Sequence, residues 1–555
     1  MADGRLRAQL DGKNPAVQSA QMGETSLPPS STAPSRLNFL HPQREHSARS
    51  AAALVMLAVL LSRVIGYLRE AYIAWAFGAG PQTDAYVAAF TIPDWLNYLV
   101  AGGTASITFI SIFTRYSSEG REGEANRAFS AVITIMTAVI GVGIVLAEIF
   151  TPQILALYFR DFSAEQLRLC VFLTRILLPA QLFFYVGGVY SAVLLSKRLF
   201  LLPAFGGVFY NIFIILGGVL LAGQLGIASL AWGALMGSIA GPFLLNLAGA
   251  GKAGVRYRPS LDAANPGFKE WVRLSIPLML GVSLVAADDW IMRFFANGLP
   301  GDITRLNYAK RLLAVPIAVL GQATGQASLP FFARLYGERK REEFAALVNR
   351  AVFQVAALSF LASAWMAATA LPVIDLVYRR GRFTLLDSYV TAAFFFFFSL
   401  SLAFWAAQGL YARAFYAAGD TLTPMVAGTA VTLASLPVYA WLFHRYAATG
   451  LTMASDVGIL AHTVVLLILL NQRKLVPASG MPWAELAKVL AVAAVAGVIG
   501  FSASDWLVAS GSRVADLEAL ALRTLTWGGA VAAGLWLTRS KLLHELRRSE
   551  NRRDQ

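Results

Sequence analysis

Apolar runs long enough to cross a lipid bilayer recur along most of this chain. A transmembrane helix needs about 20 consecutive, mainly apolar residues, and such runs begin near residue 50 and continue to about residue 538. Of the 555 residues, 57% are hydrophobic and 14% are charged, whereas soluble domains carry about 25% charged residues. The runs lack the period-two alternation of barrel strands. The sequence therefore predicts an all-α polytopic membrane protein.

The hydrophobic pattern predicts about 14 transmembrane helices. The predicted spans are 50–77, 82–114, 126–150, 164–195, 200–222, 227–250, 270–297, 303–334, 343–370, 385–418, 422–444, 452–471, 483–509 and 517–538. The resulting segments are a disordered N-terminal tail (1–49), an N-terminal six-helix lobe (50–258), a C-terminal six-helix lobe (259–474), two additional helices (475–540) and a basic tail (541–555). The first tail is polar and rich in Pro and Ser, which favours disorder.

The basic residues are distributed unevenly between the predicted loops. The chain has 46 Lys and Arg against 32 Asp and Glu, a formal net charge of +14. Most loop cations fall in every second loop and in the C-terminal tail, which predicts that both termini are cytoplasmic. Arg379, Arg380 and Arg382 are the main exception. The positive charge thus reflects membrane topology, and we expect no nucleic-acid partner.

An internal repeat relates the two predicted lobes at a constant offset of 223 residues. The matched positions are Phe77-Gly78 with Pro300-Gly301, Pro93 with Pro316, Phe109 with Phe332, and Asn126-Arg127-Ala128 with Asn349-Arg350-Ala351. Each half has an even number of helices, so the halves share one orientation and form a pseudo-twofold repeat about an axis along the membrane normal. The matched prolines predict interrupted helices beside a site at the membrane midplane, which is an arrangement typical of alternating access.

Three charged residues, Arg63, Arg69 and Glu70, interrupt the first predicted span. Each arginine at a helix centre costs about 2.5–3.5 kcal/mol, so such groups normally face a polar cavity. Arg63 and Glu70 are seven apart and share nearly one face, whereas Arg69 lies roughly 120° away; a bend at Gly66 would bring Arg69 inward. The alternative is that Arg69 and Glu70 reach the interface or form a structural ion pair.

The second half places further polar residues in its first two spans. Asn307 and Arg311 are four apart on one helix face, and Arg311 is the expected partner of the first-span arginines. Planar guanidinium groups bind phosphate oxygens in pairs, which suits a diphosphate. Asp288 and Asp289, with Arg293 nearby, form either a charge-balancing cluster or a coupling-ion site.

Signatures of enzymes and cofactors are absent from the sequence. Gly249-Ala250-Gly251-Lys252 superficially resembles a phosphate loop, but Asn246 and Ala253 replace its required Gly and Ser/Thr. The five histidines lack metal-ligand spacing, and Cys170 is the single cysteine. We therefore expect a protein that is not an enzyme, with no cofactor and no metal.

Several motifs together resemble the MurJ/MviN family of lipid II flippases, in the multidrug/oligosaccharidyl-lipid/polysaccharide (MOP) exporter superfamily. The matching residues are Ser62-Arg63, Gly66-Tyr67, Arg69-Glu70, Phe77-Gly78-Ala79-Gly80, Thr83-Asp84-Ala85-Tyr86, Ile92-Pro93, Ser196, Phe200, Pro203-Ala204-Phe205, Asn211, Tyr308-Ala309-Lys310-Arg311-Leu312, Arg413-Ala414-Phe415-Tyr416-Ala417, Gly419-Asp420-Thr421 and Thr423-Pro424. The resemblance extends over roughly residues 50–540.

The resemblance implies two lobes around a cationic cavity, with a groove for the lipid tail at the last two helices. The implied substrate is an undecaprenyl-diphosphate-linked glycopeptide lipid, moved from the cytoplasmic to the periplasmic leaflet of the bacterial inner membrane. Other membrane lipids are the further implied partners. Arg63, Arg69 and Arg311 match the family's diphosphate-binding positions, and Glu70 and Asp84 match its acids.

The sequence departs from the family pattern at identifiable positions. Asn97-Tyr98 replaces a double arginine, Gly102 replaces a glutamate and Lys310 replaces an aspartate. The predicted substrate-binding residues are Arg63, Arg69, Glu70, Asp84, Asn97, Asn307 and Arg311, and the candidate coupling-ion or charge-balancing residues are Asp288, Asp289 and Asp420. The alternative functions are a flippase for another polyprenyl-linked polysaccharide unit, a cation-coupled multidrug antiporter, and a scaffold for wall-synthesis enzymes.

Overall fold

The computed structural model describes residues 48–98, 103–197, 199–280, 284–503 and 512–542. All of these residues belong to one compact unit. Every regular element among them is a helix, which confirms the predicted all-α membrane fold. The predicted tails, 1–49 and 541–555, lie almost wholly outside the described residues, as do Gly102 and the double-glycine break expected there.

The described residues of the first half form ten α-helices. They are α1 (Ala48–Phe77), α2 (Pro81–Ala88), α3 (Thr91–Leu96), α4 (Gly103–Ser118), α5 (Glu122–Tyr158), α6 (Ala164–Leu177), α7 (Ala180–Ser196), α8 (Leu201–Leu225), α9 (Ala228–Ser238) and α10 (Asn246–Lys252). A π-helical segment, Ile239–Leu245, joins the last two and contains Pro242. The predicted span 82–114 is thus divided between three helices.

The described residues of the second half form eleven α-helices. They are α11 (Pro266–Leu280), α12 (Leu284–Phe295), α13 (Asp302–Pro316), α14 (Thr324–Gly337), α15 (Arg341–Ala368), α16 (Ala370–Tyr378), α17 (Leu385–Leu400), α18 (Leu402–Ala417), α19 (Leu422–Gln472), α20 (Trp483–Ser502) and α21 (Arg513–Leu537). Short 3₁₀ segments follow at Ala296–Gly298 and Ala478–Gly480. Ala447 has non-helical backbone angles (φ 49°, ψ −136°) and divides α19 between two predicted spans.

Eight helical stretches in the described part of the chain are long and apolar enough to span a bilayer. A ninth results if α17 and α18, which meet at a 42° bend, are taken as one span. The chain is therefore a multi-span membrane protein, whereas the number of 14 spans stays a prediction. Several predicted spans are broken into shorter helices, and this lowers the number that passes a length criterion.

Both prolines of the predicted repeat lie at helix irregularities. Pro93 occupies the first turn of α3, where its missing N–H costs nothing. Pro316 ends α13, and a π-helical segment, Ile317–Ala323, follows it. A proline removes a helical hydrogen bond, and π segments are frequent near functional sites.

Helices of each half pack mainly on one another. In the first half α1 and α9 pack on α8, and α4 packs on α7; in the second half α13 packs on α17, and α15 and α19 pack on α18. Gly233 allows the close approach of α9 to α8, because a Cβ there would lie 2.6 Å from the carbonyl oxygen of Phe213. Contacts between the halves join α2 to α13 and α4 and α5 to α11. The last two helices pack on each other and on α15.

Candidate functional site

A polar cavity of about 290 Å³ lies between the two halves of the bundle. Its walls come from α1, α2, α3, α7 and α8 of the first half and from α12 and α13 of the second. The charged and amide-bearing side chains that line it are Arg69, Glu70, Asp94, Asn97, Gln181, Arg293, Asn307 and Arg311. The structure thus brings together residues more than 200 positions apart in the sequence.

Arg69 and Glu70 form an ion pair at one wall of this cavity. Glu70 is 5% exposed, and Arg69 also donates a hydrogen bond of 2.8 Å to Oδ1 of Asn211 on α8. α1 is continuous through Gly66, where a Cβ would lie 3.9 Å from the Asn211 side chain. Arg69 therefore reaches the cavity from an unbroken helix, with its buried charge balanced by Glu70.

Arg311 approaches the same carboxylate from the other half. Its Nε lies 3.7 Å from Oε1 of Glu70, and its side chain is 54% exposed. The Tyr67 hydroxyl donates a hydrogen bond of 2.9 Å to the backbone carbonyl of Arg311, which ties α1 to α13. Glu70 is therefore placed between two guanidinium groups, and the one on Arg311 is open to a ligand.

A third guanidinium group, that of Arg293 on α12, also lines the cavity. Its Nη1 donates to Oδ2 of Asp94 at 3.0 Å and to the Thr91 hydroxyl at 3.4 Å, both on α3. The sequence places Arg293 only beside the two aspartates of its own helix. The available signal was its charge in a membrane-length run, but sequence spacing does not reveal a partner in the other half.

The other predicted substrate-binding residues are placed differently. Asn97 and Asn307 line the cavity. Arg63 is not among the described residues that line it, since it lies roughly 10 Å along α1 from Glu70.

Asp84 is 1% exposed and caps the start of α13. It accepts hydrogen bonds from the backbone N–H of Gly301 and from both the N–H (2.9 Å) and hydroxyl (2.7 Å) of Thr304.

The candidate coupling-ion residues Asp288 and Asp289 both pair with Lys310 of α13. Asp288 is 0% exposed and also accepts hydrogen bonds from the Tyr439 hydroxyl and, at 2.9 Å, from the Ser455 hydroxyl. The adjoining space, which Asp289 and Lys310 line, holds only about 20 Å³. The Lys310 ammonium group thus supplies the positive charge next to these carboxylates.

Asp420, the third candidate, lies in the loop between α18 and α19. It accepts a hydrogen bond of 2.9 Å from the N–H of Thr423 and pairs with Arg473. Within the described part of the chain it does not line the central cavity. Its contacts are those of a helix cap and a surface ion pair.

A second large cavity, of about 600 Å³, is almost wholly apolar. It is bounded by α15, α17, α18 and α20, and its walls include Phe360, Phe396, Phe404, Leu490 and Phe501. The resemblance implied a lipid-tail groove at the last two helices, and α20 is the first of these. α21 contributes no lining residue among those described.

Known proteins resemble this chain in sequence over most of its length. The family described as lipid II flippase MurJ matches residues 73–514. The lipid II flippase MurJ of Burkholderia cenocepacia is 29% identical over 483 residues, which cover 83% of this chain and 91% of the relative. The probable lipid II flippase MurJ of Synechocystis is 28% identical over 480 residues, covering 82% and 88% respectively.

Solved structures show the same fold. A lipid II flippase MurJ in an inward closed conformation superposes with a TM-score of 0.73 at 21% identity, covering 87% of this chain and 99% of that one. An inward-facing multidrug resistance MATE family transporter of the MOP superfamily reaches a TM-score of 0.60 at 15% identity, covering 76% and 98%. Since the family match extends over well more than half of the sequence, the chain belongs to the lipid II flippase MurJ family.

Proposed function

We propose that this protein is a flippase for a polyprenyl-diphosphate-linked saccharide, and that its substrate is the peptidoglycan precursor lipid II. The observation that carries the proposal is the cavity between the halves, where Arg69, Arg293 and Arg311 come together. Membership of the MurJ family and relatives named as lipid II flippases support the same substrate.

The charge of the cavity favours an anion. Three guanidinium groups and two carboxylates line it, which leaves an excess of one positive charge. Hydrogen bonds to charged groups contribute about 1.5–3 kcal/mol each, and a diphosphate offers several acceptors to planar guanidinium forks. Ligand pockets usually hold about 300–1,000 Å³. The observed 290 Å³ therefore suits the diphosphate, and the glycopeptide requires a wider opening.

Alternating access supplies that opening. In the described state Asp84 of α2 binds the N-terminus of α13, so the halves are joined at this end of the bundle. We assign this end to the periplasm and both termini to the cytoplasm of a bacterial inner membrane, as the loop charges predict. Transport then requires the Asp84 contacts and the contacts at the opposite end to break in turn.

The apolar cavity beside α20 suits the polyprenyl chain. Its walls carry aromatic and aliphatic side chains, and Phe501 and Leu490 are about half exposed. The free energy of a chain of isoprene units falls when its apolar surface leaves contact with water or headgroups. We assign this cavity to the lipid tail, which stays within the bilayer while the headgroup crosses.

The energy source does not require an ion at Asp288 and Asp289. Lys310 already balances these carboxylates, so we assign them a charge-balancing role. A membrane potential that is negative inside favours outward movement of an anion by about 2.3 kcal/mol per charge per 100 mV. Transport in proteoliposomes should therefore be retained when Na⁺ is replaced by K⁺ or choline. Loss of transport in choline would contradict this assignment and favour a coupling ion.

A multidrug antiporter is the second transporter hypothesis. Organic cations require an acidic, aromatic cavity, whereas this cavity carries an excess of guanidinium groups. A scaffold without transport activity would not need charged groups between its halves. Neither hypothesis is supported by the arrangement of Arg69, Arg293 and Arg311.

The test combines complementation with a transport assay. The full chain should restore growth to cells depleted of their lipid II flippase, and the purified protein should move labelled lipid II across proteoliposome membranes. Arg311→Ala should reduce transport at least about tenfold, the equivalent of about 1.4 kcal/mol, because its exposed guanidinium group faces the substrate. Arg334→Ala is the matched control, since that arginine is 65% exposed on α14 and its one ion pair within the described part of the chain is with Glu338.

The outcomes separate the hypotheses. Wild-type transport that Arg311→Ala removes and Arg334→Ala leaves intact supports the proposal. Failure of the wild-type protein to move lipid II, with transport of another polyprenyl-diphosphate saccharide, would favour the alternative substrate. Undiminished transport by Arg311→Ala would end the assignment of the cavity.

A further inference from the structure

Arg293 and Asp94 form an ion pair across the two halves of the protein, at the edge of the central cavity. Arg293 belongs to α12 and Asp94 to α3, and Nη1 lies 3.0 Å from Oδ2. The Arg293 side chain is 11% exposed, whereas that of Asp94 is 39% exposed. Both line the cavity together with Arg69 and Arg311.

The Arg293 guanidinium group uses only part of its hydrogen-bonding capacity. A guanidinium group has five N–H donors, and Nη1 alone donates to protein acceptors among the described residues, namely Asp94 and Thr91. Nε and Nη2 therefore have donors left for a ligand. A half-exposed carboxylate such as Asp94 is also a partner that a second anion can replace, because solvent weakens its attraction.

Aromatic packing holds the two helices in place around this pair. The Trp290 ring of α12 lies 6.3 Å from the Trp95 ring and 5.6 Å from the Tyr98 ring, in edge-to-face geometry. The Tyr158 hydroxyl donates a hydrogen bond of 2.5 Å to the carbonyl oxygen of Trp290. These contacts of α12 place the Arg293 guanidinium group next to Asp94.

The wall of the cavity opposite α12 has no excess positive charge, so the cation on α12 determines the net charge of the cavity. Directly after α3, the residue that lines the cavity beyond Asp94 is Asn97, which carries no charge. Arg69 is already engaged by Glu70 and Asn211. Without Arg293, the cavity would hold two guanidinium groups against two carboxylates, with no excess positive charge for a dianionic ligand.

We propose that Arg293 is a third diphosphate-binding residue, and that Asp94 holds its guanidinium group in the substrate-free state and gives it up to the substrate. This inference rests on the proposed flippase function and names a specificity-determining pair within its site. The diphosphate replaces the Asp94 carboxylate as the acceptor of Arg293, while Arg311 binds from the same half. Asp94 therefore acts as a competitor of the substrate.

The alternative is a structural ion pair that only joins the halves. The two roles predict different effects when both charges are removed together. A structural pair loses stability when one partner is removed, because a partly buried charge is left alone, and regains it when both are neutral. A substrate-binding arginine does not regain transport when its competitor is also removed.

The experiment measures lipid II transport in proteoliposomes and binding of farnesyl diphosphate to the purified full-length protein. The variants are Arg293→Gln, Arg293→Lys, Asp94→Asn and the double variant Arg293→Gln with Asp94→Asn. Arg293→Gln should weaken binding and slow transport about tenfold, which corresponds to about 1.4 kcal/mol. Arg293→Lys should retain part of the affinity, since it keeps the charge but loses the planar fork. Asp94→Asn should bind the diphosphate about threefold more tightly, by removing the competing anion.

The double variant is decisive, because it leaves no unpaired charge and should keep the thermal stability of the wild type. The inference requires that its transport stays low. Wild-type transport by the double variant, or unchanged diphosphate affinity in both Arg293→Gln and Asp94→Asn, would overturn it. If the wild-type protein binds farnesyl diphosphate and transports lipid II, and the Arg293 variants do both equally well, the inference fails but the proposed function stands. If the wild-type protein neither binds farnesyl diphosphate nor transports lipid II, the proposed function itself fails.

Discussion

At the two ends of the bundle, the two halves of the protein are joined by contacts of very different character. At one end Asp84, which is 1% exposed, accepts three hydrogen bonds from the first turn of α13. Between α4 and α11 a bidentate ion pair links Arg115 to Glu270 with one N–O distance of 2.9 Å, and these side chains are 48% and 33% exposed. Both contacts join the first half to the second.

Burial decides how much each contact contributes. Hydrogen bonds to a buried charge are strong, because losing them leaves donors without water. An exposed ion pair contributes about 0–1 kcal/mol. The helix dipole adds to the first contact, since the N-terminus of α13 carries partial positive charge near the Asp84 carboxylate. We infer that the Asp84 end is held closed in this state and that the Arg115 pair closes and opens at low cost.

The largest effect is expected for Asp84→Ala. The variant leaves the N–H groups of Gly301 and Thr304 without their acceptor, and we expect a loss of about 3 kcal/mol. Thermal unfolding in detergent measures it, and labelling of a cysteine placed at Asn307 should increase from the side that we assign to the periplasm. Asp161→Ala is the control, since Asp161 is an exposed residue at the same end. Equal stability of the two variants would remove the basis of the comparison.

The exposure of Asp420 lies between those of Asp84 and Arg115, since its side chain is 19% exposed. Partial burial raises the pKa of Asp420, but the hydrogen bonds from Thr423 and the charge of Arg473 lower it below its ordinary value overall. A carboxyl group with a lowered pKa stabilises the folded state at neutral pH, and this stabilisation is lost as the pH falls below about 4. Asp420→Ala should cost about 1 kcal/mol as a lost helix cap. Its melting curve should approach that of the wild type in acid, and a difference independent of pH would contradict this.

The smallest effect is expected for Arg115→Ala. The exposed pair with Glu270 should contribute less than about 1 kcal/mol, and salt should reduce even that. A double-mutant cycle with Glu270→Gln measures the coupling. A coupling as large as the Asp84 effect would mean that both ends are closed equally firmly in this state.

The sequence predicted the fold class, because long apolar runs indicate membrane-spanning helices. It also predicted that Arg63, Arg69 and Arg311 bind the substrate, because charges within apolar runs are costly and the helical repeat fixes which residues share a face. The structure places Arg69 and Arg311 at one cavity, and substrate binding by the three arginines stays a prediction. Other features depend on contacts between separate helices and were not predictable in the same way. The pairing of Arg293 with Asp94 joins residues 199 apart, and Lys310 reaches Asp288 across 22 positions.

The role of Arg63 illustrates the limit of spacing arguments. Its seven-residue separation from Glu70 predicts a shared face, but a cavity is also bounded along the helix axis, and position along the axis is set by the neighbouring helices. Arg63 therefore stays a predicted substrate-binding residue outside the described lining of the cavity.

The most direct test of the account is a photo-crosslinking measurement in the membrane. A photoreactive amino acid at Asn307, which lines the cavity, should crosslink to labelled lipid II, and excess unlabelled lipid II and Arg311→Ala should both reduce the yield. The same probe at Leu525, which is 73% exposed on α21, should give only a background that neither treatment changes. Equal yields at the two positions, or a yield at Asn307 that Arg311→Ala leaves unchanged, would contradict the claim that the substrate diphosphate binds between the two halves.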